Sequence, residues 1–271
     1  MNTLVTSVLG AIAVVVALAS SARTEGLPDV LGIQLGMPAR EAHAKLQAAL
    51  PKYKIQVGSI NLPTIDKPVI LSFSSGTHNV PEGMEGDEVI VDVTLPPNKQ
   101  VVWRVYRVHF FPDKGILKTT LLASLREKYG KETRAENQQG KPTTDDTHIT
   151  RMLWLMDEQG RPTPPPPLNG MVDPISSCPA RVANSQIVET PAPNYGNKDL
   201  AWCMSSYTAV NVEFTPSPAV PELYTQLYVT AVSLPMGARA GEATKKWKDE
   251  IAQGQHRQDI EKAKQQEKPK L

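Results

Sequence analysis

A strand, a tight turn and an amphipathic helix follow one another without a break over residues 101–130, and any fold for this 271-residue chain has to be built around them. The run VVWRVYRVHFF from position 101 is dominated by β-branched and aromatic side chains, which fit a pleated, half-buried surface. Pro112-Asp113-Lys114-Gly115 turns the chain, and Leu117, Leu121, Leu122, Leu125 and Tyr129 then recur at helical spacing. Gly130 follows, a residue that accepts the left-handed conformation just past a helix. This order folds a helix back over its own sheet. Alternation within the strand is imperfect, because a single register would bury Arg107 and His109 beside the apolar residues. A β-bulge near Tyr106 and Arg107 is therefore predicted, keeping Trp103, Val105, Val108 and Phe110 on the core side and Arg104, Tyr106 and His109 nearer solvent.

Upstream, Gly36-Met37-Pro38 opens a helix that runs to Leu50, with Pro38 at its first position, Glu41 in its first turn and Pro51 stopping it. Ala39, Ala42, Leu46, Ala49 and Leu50 form its apolar stripe. Strand-like runs follow at 54–60, 69–74 and 88–95, so one helix precedes a meander of strands. Leu46, Ala49, Lys52 and Tyr53 reappear 76 positions later as Leu122, Leu125, Lys128 and Tyr129. The expected fold is α+β, with two tandem units of a helix packed on an antiparallel sheet over 27–112 and 113–235. The second unit takes strands from 149–156, 200–214 and 223–234, with Tyr224 and Tyr228 on one face, and carries loop inserts at 138–147, 157–170 and 174–198. Pro164 to Pro167 form an extended polyproline spacer, read as a solvated loop, with a docking ligand as the sharper alternative. A charged C-terminal helix and tail occupies 236–271, docked by one turn through Trp247 and Ile251, with its last dozen residues frayed.

Residues 4–19 are almost wholly apolar but shorter than the ~20 residues a membrane span needs. Small residues at 17–22 suit signal peptidase, so residues 1–22 read as a cleaved secretory signal, an uncleaved anchor being the alternative. The expected location is periplasmic or secreted, with no stable membrane insertion after cleavage. Cys178 and Cys203 are then expected to form a disulfide, worth about 3 kcal/mol through loop closure. The balance of 29 Lys and Arg against 28 Asp and Glu lacks the basic excess of a nucleic-acid binder.

Catalytic motifs are absent from the sequence: no G-x-S-x-G, no H-E-x-x-H, no G-x-G-x-x-G after a strand and no Walker lysine. Asp145, Asp146 and His148 read as a hydrated loop, the 74–79 run as a plain turn, and Arg107 with His109 as an exposed face around the bulge. No metal-ligand spacing and no cofactor motif occur. What remains is an interaction surface. Arg104, Tyr106, His109 and Arg151 are the candidate partner-binding residues, since Tyr and Arg anchor interfaces well.

The stretch VLGIQLGMPAREAHAKLQAAL, its meander and the Lys128-Tyr129-Gly130 helix end resemble exported proteins built from units like the β-lactamase inhibitor protein and the BamE/SmpA outer-membrane assembly lipoproteins. Gly32, Leu35-Gly36-Met37 and Lys128-Tyr129-Gly130 carry the likeness, which spans 31–155. It implies a non-enzymatic module that presents a sheet face or loops to another envelope or secreted protein. Inhibition of a secreted hydrolase is a narrower form of that expectation, and an enzyme or small-ligand binder with an unfamiliar site is the alternative. No cysteine follows the apolar run, so a lipid tether is not expected.

Overall fold

The computed structural model describes residues 26–62, 64–76, 84–164 and 207–264. A minute hairpin, β1 (Asp29–Val30) and β2 (Ile33–Gln34), leads into helix α1 (Ala39–Ala49). Four strands follow: β3 (Gln56–Ile60), β4 (Val69–Ser74), β5 (Gly86–Val93) and β6 (Val102–Phe110). After the turn, β7 (Ile116–Leu117) leads directly into α2 (Lys118–Tyr129). Four more strands complete the sheet: β8 (Arg134–Glu136), β9 (Arg151–Met156), β10 (Thr208–Pro216) and β11 (Leu223–Ser233). The long helix α3 (Leu234–Lys264) begins where β11 ends.

The fold is α+β. Strands β3 to β11 form one antiparallel sheet in the order β3-β4-β5-β6-β11-β10-β9-β8, with β7 added on β11. The chain thus runs twice from a helix into four strands, and the two meanders join along β6 and β11 into a continuous sheet.

One face is covered by α1, α2 and the β1–β2 hairpin. Leu46, Leu122 and Leu125 bury against Phe73, Val91, Val105, Trp154 and Val212, among others. Two polar handles fix α2 there: Tyr129 Oη donates to the Asp29 carbonyl at 2.9 Å and Trp154 Nε1 to that of Gly130 at 2.8 Å. The opposite face has a smaller cover, where the start of α3 packs Leu234 and Ala238 on Trp103, Leu153, Leu155, Ala209 and Val232.

Strand β6 differs from its sequence reading. Arg104 pairs with Asp92 and Val102 with Val93, so the inserted residue is Trp103, not a residue near Tyr106 and Arg107. The shift turns Trp103 toward α3 while Val102 and Val105 stay under α1 and α2. From Arg104 onward alternation is regular, which puts Tyr106, Val108 and Phe110 on the α3 side and Arg107 and His109 on the helix-covered side. The physical reason is that both faces are apolar at this end of the strand, so the bulge falls where a tryptophan can be buried on the second face.

Three other expectations shift. Leu117 belongs to β7, pairs with Leu223 and is half exposed, so it lies outside the buried stripe of α2. In β11, Thr215 pairs with Gln226 but Pro216 with Tyr224, and the extra residue Thr225 separates Tyr224, under the helices, from Tyr228 on the other face. Helix α3 docks over nearly four turns from Leu234 to Trp247, not through one turn, with Trp247 packed as expected, and stays helical to Lys264. No helix among the described residues is long and apolar enough to cross a membrane. The expected signal at 1–22, the cysteine pair, Pro165 to Pro167 and the tail after Lys264 lie outside the described residues.

Candidate functional site

Among the described residues, helix α3 covers only one end of the second face, and the strand registers place the side chains on the rest of it. One row crosses six strands: Glu136, Arg151, Glu213, Tyr228, Val108 and Glu88 are successive cross-strand partners. The next row carries Asn211, Thr230, Tyr106 and Ile90, and a third carries Arg104, Asp92 and Ser72. Tyr106 and Tyr228 are diagonal neighbours, within reach of one another across β6 and β11. Val108 is 4 % exposed beneath them, and Tyr106, Tyr228 and Ile90 are half-buried.

The charges on this face are unevenly matched. Arg104 Nε donates to Asp92 Oδ2 at 2.5 Å. Burial nevertheless pushes the Asp92 carboxyl above its usual range, outweighing the arginine beside it. Arg151 donates from Nε to Asn211 Oδ1 at 2.6 Å and from Nη1 to Glu136 Oε2 at 3.3 Å, and lies 3.7 Å from Glu213. Both arginines are thus held by the sheet's own acids. Burial raises the Tyr106 hydroxyl, and Glu88, Tyr228 and Glu213 add to the effect, while Arg104 opposes it weakly. The tyrosine pair therefore sits in an apolar, locally negative patch.

Of the sequence-expected residues, Arg104, Tyr106 and Arg151 share this face. His109 does not: it belongs to the helix-covered side, where Asp87 is its cross-strand partner. Its Nδ1 lies 3.2 Å from both Asp87 Oδ1 and Arg107 Nη2, and Arg107 Nε donates to Asp87 Oδ1 at 2.5 Å. Phe111 meets the imidazole edge-on at 4.7 Å, and the His109 side chain is only 12 % exposed. Arg107 and His109 are thus partners of a half-buried carboxylate, not an exposed pair around a bulge. Asp146 is also engaged: Arg126 donates to both of its oxygens at 2.8 Å, where a hydrated loop was expected.

Burial tends to raise the Asp87 carboxyl, but the hydrogen bonds from His109 and Arg107 together hold it below its usual value of 3.8. A folded-state pKa below the unfolded one means that the stabilisation is complete above pH 3.8 and fades as the pH falls through the folded value. Asp87→Asn is expected to lower stability at neutral pH by about 1–3 kcal/mol, with the two proteins converging in acid. Urea unfolding of both at pH 7 and pH 3 checks this, and a gap as wide at pH 3 as at pH 7 contradicts it.

An open groove of about 430 Å³ beside β2 and the start of α1 is lined by Leu27, Leu35, Met37 and Pro38, with Glu41 as its ionisable group. Among the described residues, no three His, Cys, Asp or Glu side chains are placed to hold a metal ion. Sequence reasoning missed Tyr228, Glu88, Ile90 and Glu213, whose place depends on registers between strands distant in the chain. Compared with family models, curated proteins and solved structures, the chain matches none of them.

Proposed function

We propose that this chain is an exported, non-enzymatic interaction module that binds a protein partner through the sheet face that α3 leaves open among the described residues. One observation carries the reading: Tyr106 and Tyr228 are diagonal cross-strand neighbours around Val108 in a patch flanked by Glu88 and Glu213. Half-buried tyrosines lose little conformational freedom on docking and supply a large contact area, which is why they anchor interfaces. The surrounding carboxylates give the partner its chemistry. A Lys or Arg on the partner, inserted between the rings, would meet two aromatic faces and the charges of Glu88 and Glu213. The apolar N-terminal run supports export, and the likeness to inhibitor and assembly proteins that present a sheet face or loops supports the binding mode.

Tyr106→Ala and Tyr228→Ala are each expected to weaken partner binding at least about tenfold while leaving the melting temperature nearly unchanged. Glu88→Lys should weaken it further at low salt than at high salt, as charge repulsion requires. Binding measured by titration calorimetry against the cross-linked and purified envelope partner tests all three. A collapse of the fold in Tyr106→Ala, or undiminished binding in both tyrosine variants, contradicts the assignment of this face.

A further inference from the structure

Strand β3 is the edge of the sheet, and among the described residues nothing pairs with its outer side. Edge strands are normally protected by charge, proline or a covering segment. This one reads Gln56-Val57-Gly58-Ser59-Ile60, without a charge or a proline, and Val57 is 51 % exposed.

A second, independent feature points past the same edge. Helix α3 starts at the end of β11, and the Ala240 carbonyl accepts from Asn98 Nδ2 at 3.0 Å. Thr244 Oγ1 then donates to the Leu95 carbonyl, and Trp247 packs against the cluster of Leu62, Val69 and Leu95, as do Ile60 of β3 and Leu71 of β4. The helix therefore runs across the sheet from β11 toward β3. Four strand spacings from β11 to β3 amount to about 19 Å. The thirteen residue steps from Leu234 to Trp247 amount to about 20 Å of helix. Residues 248–264 then continue as about 25 Å of helix past Trp247. Nearly all of them are exposed, Ile260 at 42 %. A polar helix of that length gains little stability from water alone, and its natural support is another protein surface.

We propose that a second copy of this chain pairs antiparallel with β3, joining two sheets edge to edge, with each α3 arm reaching over the other copy. The strand is self-complementary about Gly58: Gln56 faces Ile60, Val57 faces Ser59 and Gly58 faces its own counterpart, with no like charges opposed. Two-fold symmetry makes both arms overshoot toward the other copy's sheet, so one operation accounts for the bare edge and the projecting helix. Tyr106 and Tyr228, on the fourth and fifth strands from that edge, remain outside the strand pairing.

The test is the mass of the full mature chain by sedimentation equilibrium from about 1 to 100 μM, the span of modest dimer affinities. The wild type is expected to reach twice the chain mass. The double variant Val57→Lys with Ser59→Lys sets lysine against lysine at two symmetric positions and should weaken the dimer at least about tenfold. Val57→Lys with Ser59→Glu sets lysine against glutamate and should retain it. Circular dichroism and melting establish that each variant folds. A wild type that stays at the single-chain mass, a two-lysine variant that keeps the doubled mass, or loss of the dimer in the Lys/Glu variant overturns the proposal.

Discussion

Trp103→Ala is expected to cost about 3–5 kcal/mol, the range for truncating a fully buried large aromatic side chain. The indole is 1 % exposed and fills the space between the sheet and α3, touching the cluster of Leu153, Leu155, Ala209, Val232, Leu234 and Ala238. Two losses combine at this position. A cavity opens in a cluster too small to collapse around it, and the bulge no longer has a buried side chain to hold it in β6. Because Leu234 and Ala238 are the first residues of α3 to dock, the helix should loosen before the sheet unfolds. Hydrogen exchange should therefore quicken selectively across 234–247, alongside a lower urea midpoint. A cost below about 1 kcal/mol would place Trp103 outside the core and contradict the bulge assignment.

Gly115→Ala should be nearly as damaging, by a different route. Gly115 has φ +111°, a conformation that side chains rarely adopt. A Cβ there would lie 2.9 Å from the Tyr224 carbonyl carbon and closer still to its oxygen, both backbone atoms of β11 that cannot turn aside. The close approach exists because β7 pairs Ile116 with Tyr224 and Leu117 with Leu223, which sets where α2 begins. Displacing it disturbs Tyr224, stacked on Phe214 at 4.6 Å and hydrogen-bonded to the Ile149 carbonyl. The expected loss is at least about 3 kcal/mol, strain and clash together. Gly140→Ala is the control: φ is +71° but nothing lies within 4 Å, so about 1–2 kcal/mol is expected. Equal losses at the two glycines would show that conformation alone, without the approach to β11, sets the cost.

Local patterns carried the helices well. The stripes of Ala39, Ala42, Leu46 and Leu50, but not the exposed Ala49, and of Leu121, Leu122, Leu125 and Tyr129 mark faces that the structure buries, and Gly130 ends α2 with φ +78°. Strand order was harder to read, because the pairing of β6 with β11 joins segments 116 to 128 residues apart, and no local signal records which strands meet. The bulge shows the same limit. Its need was legible in the mixed alternation of β6, but its place depended on α3, which supplies an apolar cover for Trp103. Arg104, Tyr106 and Arg151 were named from residue type, and the strand registers put them on one face. His109 was assigned to the wrong face because the bulge was placed three to four residues too late, and Asp87, its carboxylate partner, is 22 positions away in the chain. Tyr228 escaped because the Thr225 insertion reverses the face read from its spacing to Tyr224.

Site-specific photo-cross-linking tests most directly whether a partner docks on the sheet face that α3 leaves open among the described residues. A photoreactive phenylalanine analogue replaces Tyr106 in one full-length protein and the exposed Gln47 of α1 in another, each expressed in the exporting cell. The expected result is a single protein partner joined at position 106, absent at position 47, and lost from position 106 when Tyr228→Ala is added. Equal capture from both positions, or capture from position 47 alone, would contradict the claim that this sheet face is the binding surface.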